Sequence, residues 1–243
     1  MDLSLSKRYE LIEAAQGKRP LDLVIKNVNM VNVFTGEIYP AEIGIYSGFI
    51  AHVEADPDNK KDSKEKMEGK EEFDGQGQYI IPGLIDSHVH IESSMMTPRN
   101  FARTIIPHGT TTVITDPHEI GNVIGIEGVE YMLDSSEDLP MNQYILAPSC
   151  VPSAPEFENA GASFSTEEIE TMLEKDRVIG LAEVMDFPGV LAGSKRMIEI
   201  IQKTDEKNGY IQGHSPGLSG RKLSAYLCAG PESDHEVQKK QEA

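Results

Sequence analysis

The chain has 243 residues, 39% hydrophobic and 26% charged, a balance typical of a folded globular protein with one large domain or two small ones. Its 22 basic and 40 acidic residues give a formal net charge of -18, which argues against a nucleic-acid polymer or an anionic membrane as a partner. Because the sequence contains neither a secretory signal nor an apolar run of ~18 residues, it predicts a cytoplasmic protein. Cys150 and Cys228 are predicted to be reduced thiols.

The first part of the chain predicts a short helix followed by a small β-rich domain. Residues 3–17 have a helical pattern, and residues 1–20 are assigned to this helical segment. Residues 21–55 alternate between apolar runs and turn signals, which predicts a meander of antiparallel strands. Residues 56–72 are almost entirely polar and predict an exposed loop. The β domain is expected to extend over residues 21–78.

From residue 79 onward, apolar strand patterns alternate with amphipathic helix patterns. The predicted strands cover residues 79–85, 110–115, 143–148, 178–184 and 210–214. The predicted helices lie near residues 98–108, 124–137, 166–175, 190–207 and 218–228. This alternation indicates βα units around a parallel sheet, which assigns residues 79–243 to an α/β domain.

Two histidines follow the first of these strands at a spacing of two. In extended backbone this spacing puts the side chains of His88 and His90 on the same face, where two imidazoles can share a metal ion. Taken alone, the pair could equally be two packed or surface histidines.

Further ligand-type residues end the later strands. Glu183 lies at the end of strand 178–184, His214 ends strand 210–214, and His235 lies where a sixth strand is expected. Each has an ordinary alternative as a packed or solvated side chain. Because a (β/α) barrel gathers its reactive side chains at the carboxyl ends of its strands, we expect these three residues to meet His88 and His90.

A polar run follows the second strand of the α/β domain. Asp116, His118 and Glu119 are expected at the same face as the histidines, together with Glu92. The alternative is a polar loop in which Asp116 caps the next helix. We hypothesise that His118 or Glu119 transfers protons or recognises a substrate base. His52 and His108 are expected to lie outside the site.

Several long segments of the sequence resemble the amidohydrolase superfamily, and its adenine deaminase family in particular. The resemblance begins near residue 20, and its most specific segments are residues 82–95, 109–112, 115–120, 180–185, 213–218 and 230–236. It implies an amidohydrolase-type TIM barrel preceded by a small, sandwich-like β domain. It also implies the metal ligands, which are His88, His90, Glu183, His214 and His235.

The resemblance implies the chemistry as well. Glu183 would bridge two divalent ions where many relatives use a carboxylated lysine, and no Lys occurs between Asp176 and Ser194. Manganese or iron is favoured, and zinc is the alternative. Metal-activated hydroxide would attack C6 of adenine and release hypoxanthine and ammonia, which is a purine salvage reaction. The partner would thus be a small-molecule purine.

The same resemblance predicts that the barrel is incomplete, with five to six of its eight units. The Asp ligand that the family has after strand eight would lie beyond Ala243, so a truncated or frame-shifted gene is expected. The chain would need that missing segment to close the barrel and would have doubtful activity alone. A dihydroorotase-like or hydantoinase-like enzyme, a non-catalytic fragment and a homo-oligomer remain open.

Overall fold

The structure is a computed structural model that describes residues 3–55, 66–154 and 157–239. The chain divides into two compact units, Met1–Pro82 and Gly83–Ala243. None of the helices in the described ranges is long and apolar enough to cross a membrane.

In its described residues, 3–55 and 66–82, the first unit contains one helix and a five-stranded sheet. Its elements are α1 (Leu5–Ala15), β1 (Leu21–Val31), β2 (Ile38–Tyr46), β3 (Phe49–Ala55), β4 (Gly69–Asp74) and β5 (Tyr79–Ile80). Antiparallel pairing joins β1 to β2 and β2 to β3, which confirms the predicted meander. Strands β4 and β5 both pair with β1 in parallel.

Strand β4 corrects the expectation of a loop over residues 56–72. Residues 69–72 belong to this strand, whereas residues 56–65 lie outside the described part of the chain. The sequence pattern did not predict β4 because the charged side chains of this strand are mostly exposed and form ion pairs with β1. Lys26 Nζ lies 2.6 Å from Glu72 Oε1, and Lys70 Nζ lies 2.7 Å from Asp22 Oδ1.

The predicted strand over residues 79–85 is also corrected. Tyr79 and Ile80 pair with Asn29 and Met30 of the first unit, whereas the first strand of the second unit begins at Leu84. Pro82 lies between the two strands, and a proline lacks the N–H that an uninterrupted ladder requires. One apolar run therefore contributes to two different sheets.

The second unit is built from alternating strands and helices. Its strands are β6 (Leu84–Val89), β7 (Thr110–Thr115), β8 (Asn142–Pro148), β9 (Val178–Val184), β10 (Tyr210–Gly213) and β11 (Ser233–Asp234). Its α-helices are α2 (Pro98–Ile105), α3 (His118–Ile124), α4 (Ile126–Asp134), α5 (Thr166–Leu173), α6 (Phe187–Ala192), α7 (Lys195–Glu206) and α8 (Gly220–Cys228). The strands are parallel and follow one another in sheet order from β6 to β11. This is the expected incomplete barrel, with six of eight strands.

One predicted helix is preceded by a helix that the sequence did not predict, and another is divided in two. The helix expected over residues 124–137 is preceded by α3, and Gly125 separates α3 from α4 with a φ of 72°. The helix expected over residues 190–207 is divided at Gly193, whose φ is also 72°. A positive φ ends an α-helix, and glycine adopts it without a steric penalty. Helix α5 begins with a capping box formed by Ser165 and Glu168.

The main core lies between one face of the parallel sheet and the helices. Val113, Ile145, Leu181 and Ile211 pack there from the strands, each at most 2% exposed. Because side chains alternate along a strand, this packing leaves the opposite face of the sheet for other residues. Polar and ligand-type side chains project from that opposite face at the carboxyl ends of the strands.

Candidate metal centre

The backbone of β6 places two histidines on the face of the sheet opposite the main core. In the pairing of β6 with β7, Asp86 lies opposite Val113 and Val89 lies opposite Thr115. Three steps along β6 thus match two along β7, which is a β-bulge. Val89 packs against the main core, and the flanking His88 and His90 point away from it. His88 therefore lies within β6, whereas the strand predicted over residues 79–85 would have ended before it.

A second bulge positions Glu183 on β9. Ile211 pairs with Leu181 and Gly213 pairs with Val184, so β9 contains one more residue than β10 over this stretch. Leu181 and Val184 both pack in the main core. In a regular strand Glu183 would share the face of Leu181. The bulge turns its carboxylate to the opposite face, where it is surrounded by imidazole rings.

Four imidazoles contact the Glu183 carboxylate, which is 3% exposed. Oε1 lies 2.7 Å from His88 Nε2 and 2.8 Å from His90 Nε2. Oε2 lies 3.1 Å from His214 Nδ1, and His235 Nε2 lies 3.6 Å from Oε1. The nitrogens also form two close pairs, 3.1 Å apart for His88 and His90 and 3.3 Å apart for His214 and His235. The carboxylate contacts both pairs.

The oxygen partners of the Nδ1 atoms determine which ring nitrogens of His88 and His90 carry the hydrogen. His90 Nδ1 lies 2.8 Å from the main-chain carbonyl oxygen of Asp116, and His88 Nδ1 lies 2.8 Å from Oε1 of Gln212. Because these oxygens can only accept, both Nδ1 atoms carry the hydrogen. When the rings are neutral, both Nε2 lone pairs therefore point at a carboxylate oxygen.

Two nitrogen lone pairs directed at a carboxylate oxygen require a compensating positive charge. Among the described residues, no donor is aligned for a hydrogen bond with Glu183 Oε1, so this buried oxygen is unsatisfied. Burying a carboxylate without a hydrogen-bond donor or an opposite charge is unfavourable by roughly several kcal/mol. Converging imidazole nitrogens and carboxylate oxygens are the donors that divalent transition metals prefer. The residues present therefore fit a metal ion.

Protonation is the other source of positive charge, and the pKa values reflect it. Burial alone would lower the pKa of His90, but Glu183 and the Asp116 carbonyl raise it to about 9. The contact with Glu183 likewise raises the pKa of His214. Burial would raise the pKa of Glu183, but its contacts with His214, His88 and His90 lower it far below its ordinary value. The pocket thus attracts either protons or a metal cation.

The polar run after β7 lies beside this cluster. Asp116 is 1% exposed, and its Oδ2 lies 2.9 Å from His118 Nδ1. Burial would lower the pKa of His118, but Asp116 raises it. Asp116, His118, His90 and Glu183 together offer atoms close enough to hold one ion. Contrary to the loop alternative, His118 and Glu119 form the first turn of α3.

Glu92 and Glu119 lie near each other at the edge of the site. Ser93 Oγ donates a hydrogen bond to Glu119 Oε1, and the Ile120 N–H donates to Glu92 Oε1 at 3.4 Å. Burial, reinforced by the nearby charges of Glu119 and Asp116, raises the pKa of Glu92. Glu92 therefore favours its protonated form more strongly than a solvated glutamate does.

Two residues that the sequence reading missed support the cluster. Gln212 of β10 contacts His88, and its position two residues before His214 was a usable signal because period two puts both on one face. Tyr226 of α8 is fully buried, and its hydroxyl accepts from the His214 N–H at 2.8 Å and donates to the Val184 carbonyl at 2.9 Å. The helical pattern around Tyr226 gave no comparable signal.

Two other histidines have separate environments. His52 lies in β3 of the first unit, where its Nε2 is 3.3 Å from Glu54 Oε2. His108 ends a short 3-10 turn before Gly109. Neither belongs to the groups of neighbouring ligand atoms found among the described residues.

Comparison with known proteins identifies the family. Residues 79–243 match the model of the amidohydrolase family. The chain belongs to the amidohydrolase family. Amidohydrolases are metal-dependent hydrolases, which agrees with the cluster of imidazole and carboxylate groups around Glu183.

Curated relatives of this amidohydrolase are similar along almost its whole length. An adenine deaminase of Thermosipho africanus is 47% identical over 239 residues, which are 98% of this chain and 40% of that protein. Adenine deaminase 2 of Carboxydothermus hydrogenoformans is 45% identical over 96% of this chain and 39% of its own length. The chain thus spans about 40% of the length of the curated relatives it matches.

Solved structures that resemble this amidohydrolase share its fold. An N-acyl-D-glutamate deacylase from Bordetella bronchiseptica, solved with zinc and a phosphonate inhibitor, gives a TM-score of 0.61 at 15% identity and covers 88% of this chain and 51% of its own. An atrazine chlorohydrolase from Arthrobacter aurescens, solved with zinc, gives a TM-score of 0.54 at 14% identity over 84% of this chain and 54% of its own.

Proposed function

We propose that this chain carries the metal-binding part of an adenine deaminase, which converts adenine and water to hypoxanthine and ammonia. The observation that carries the proposal is the buried Glu183 carboxylate in contact with four imidazoles. The similarity to curated adenine deaminases over 98% of the chain supports adenine as the substrate. The activity is proposed for a complete enzyme, because these relatives are more than twice as long.

His88, His90, Glu183, His214 and His235 are the proposed ligands of two divalent ions. The two nitrogen pairs, 3.1 and 3.3 Å apart, support two positions, and the contacts of Glu183 with both pairs support a bridging role. Manganese or iron is proposed, and zinc is compatible with the same donors. When bound, the metal supplies a Lewis acid that lowers the pKa of water and so provides a nucleophile at neutral pH.

The remaining residues of the site are proposed to handle protons. His118 can hold a proton because Asp116 raises its pKa, and it can release that proton to a developing amine leaving group. Glu119 lies half-buried in the first turn of α3, and its carboxylate can accept a proton from solvent or substrate. Glu92, whose pKa is raised by burial, can donate one. These roles complete a proposed cytoplasmic purine salvage reaction.

A chimera tests the proposal. This chain replaces the 239 matching residues of the Thermosipho africanus adenine deaminase, and ammonia release from adenine is measured after loading with manganese. We expect activity in the chimera and its loss with Glu183→Gln. Glu170→Gln is the matched control, because Glu170 lies in α5 and pairs with Lys203 at 2.9 Å, away from the site.

The outcomes separate the alternatives. A folded, metal-loaded chimera that hydrolyses dihydroorotate or a hydantoin but leaves adenine unchanged would replace the proposed substrate. A folded chimera that binds no metal would contradict the metal centre itself. Replacing Glu119 with Gln without any change in the rate would remove the proton-transfer role assigned to this residue.

A further inference from the structure

Gln212 is a buried polar side chain on the site's face of β10. It is 4% exposed and precedes His214 by two residues, which puts both side chains on one side of the strand. The intervening Gly213 has no side chain, and the preceding Ile211 packs in the main core. Gln212 is therefore directed toward the histidines by the same alternation that builds the core.

Two contacts fix the orientation of its amide group. Nε2 donates to the main-chain carbonyl oxygen of Ser87 at 3.3 Å, and Oε1 faces His88 Nδ1 at 2.8 Å. A carbonyl oxygen can only accept, so the amide nitrogen must face Ser87. The amide oxygen must then face His88, and only a protonated Nδ1 can complete that contact.

The consequence for His88 is a defined tautomer. With its hydrogen on Nδ1, the neutral ring presents the Nε2 lone pair to Glu183 Oε1, 2.7 Å away. His90 reaches the same state through the Asp116 main-chain carbonyl. One histidine is thus fixed by backbone and the other by a side chain that mutation can change.

We propose that Gln212 is a positioning residue that holds His88 as the Nδ1–H tautomer, so that Nε2 is its metal-binding atom. This role rests on the proposed metal centre. A partner of the second ring nitrogen orients a metal-binding imidazole and increases its basicity, and loss of such a partner typically weakens metal binding by about 10- to 100-fold.

The test measures the zinc affinity of the full chain by competition with a chromophoric chelator. Gln212→Met keeps the length of the side chain but removes the acceptor for His88, and we expect its affinity to fall by about 10- to 100-fold. Gln212→Glu keeps an acceptor for Nδ1–H but loses the donor to the Ser87 carbonyl, so we expect its affinity to lie well above that of Gln212→Met. This rescue separates the tautomer from simple packing.

Gln143→Met is the matched control. Gln143 is 2% exposed on neighbouring β8, and its Nε2 donates to the Met132 carbonyl at 3.2 Å rather than to a histidine. We expect this variant to lose thermal stability while its zinc affinity stays at the wild-type value. An equal loss of affinity in Gln143→Met and Gln212→Met would reduce Gln212 to a general packing role.

A measurement on the unmodified chain does not depend on any variant folding. Long-range proton–nitrogen NMR of the zinc-loaded protein should assign zinc to Nε2 of His88 and a slowly exchanging proton to Nδ1. Zinc on Nδ1, or an unchanged affinity in Gln212→Met, overturns the positioning role while leaving the proposed function intact. If the wild-type chain binds no zinc, the metal centre and this role both fail.

Discussion

The Nδ1 atom of His90 lies 2.8 Å from the main-chain carbonyl oxygen of Asp116, which joins the residue after β6 to the residue after β7. The Asp116 N–H donates in turn to the Val89 carbonyl at 3.2 Å. The ends of the two strands are thus tied in both directions. Because the tie uses backbone atoms of Asp116, the side chain of this residue remains available for His118.

Asp116→Asn should separate the backbone contact with His90 from the side-chain contact with His118. The backbone contact with His90 is retained, but the pKa of His118 should fall toward its ordinary value of 6.5 because the carboxylate that raises it is gone. His118 has a raised folded-state pKa, so its pairing with Asp116 stabilises the metal-free protein fully below the unfolded pKa. That stabilisation disappears as the pH rises through the folded pKa.

Nuclear magnetic resonance titration of the His118 ring checks the direction of the shift. Denaturant unfolding of the metal-free protein should show the largest difference between wild type and Asp116→Asn at acidic pH, by about 1.5 to 3 kcal/mol for a charged hydrogen bond. A difference that grows toward pH 9 would have the wrong sign and would exclude this pairing as its cause.

Glu183→Gln should remove most of the metal-dependent stabilisation. At a zinc concentration about 100 times the dissociation constant, a ligand that binds only the folded state stabilises it by about 2.7 kcal/mol. The neutral amide cannot supply the charge that the ions require, so the variant should show only a small fraction of this effect. Thermal unfolding with zinc and with a chelator measures it, and Glu170→Gln should behave like wild type.

Tyr226→Phe should weaken both stability and metal binding. It removes a buried hydroxyl and leaves the His214 N–H and the Val184 carbonyl without their present partner, at roughly 1–3 kcal/mol. Since these groups lie at the ends of β10 and β9, His214 should lose its alignment. Tyr131→Phe is the control, because Tyr131 is 43% exposed. Equal effects of the two substitutions would contradict this role of the hydroxyl.

Ser165→Ala should destabilise the protein by about 1 kcal/mol, the usual contribution of a helix cap. The Ser165 side chain accepts from the Glu167 N–H, and the Ser165 backbone N–H donates to the Glu168 carboxylate. Ser219 is an instructive control because it occupies the same cap position of α8 without a side-chain hydrogen bond. Chemical denaturation should therefore show a smaller loss for Ser219→Ala.

The strand pattern and the meeting of ligand-type residues were both predictable from sequence. Strands β7 and β9 have the predicted bounds because each is a short run rich in β-branched or apolar residues between turns. Parallel topology then brings their carboxyl ends to one edge, so the sequence pattern alone predicts a common site for His88, Glu183 and His214.

The face on which Glu183 lies could not be derived from alternation. Counting by two from Leu181 directs Glu183 into the hydrophobic core, and only the bulge between β9 and β10 reverses this. Strand β4 was missed for a different reason. Its residues are stabilised by ion pairs with β1, and such pairing depends on a neighbour that sequence pattern alone does not identify.

The short strand β5 has a practical consequence for dissecting the protein. The family match begins at residue 79, but Tyr79 and Ile80 are hydrogen-bonded to β1, and the second compact unit begins at Gly83. A gene fusion or domain exchange joined at residue 79 would remove two residues from the β1 ladder and add an unpaired apolar dipeptide to the α/β unit. A junction between Ile80 and Gly83 keeps both sheets whole, so the limits of a homologous segment and of a folding unit differ here.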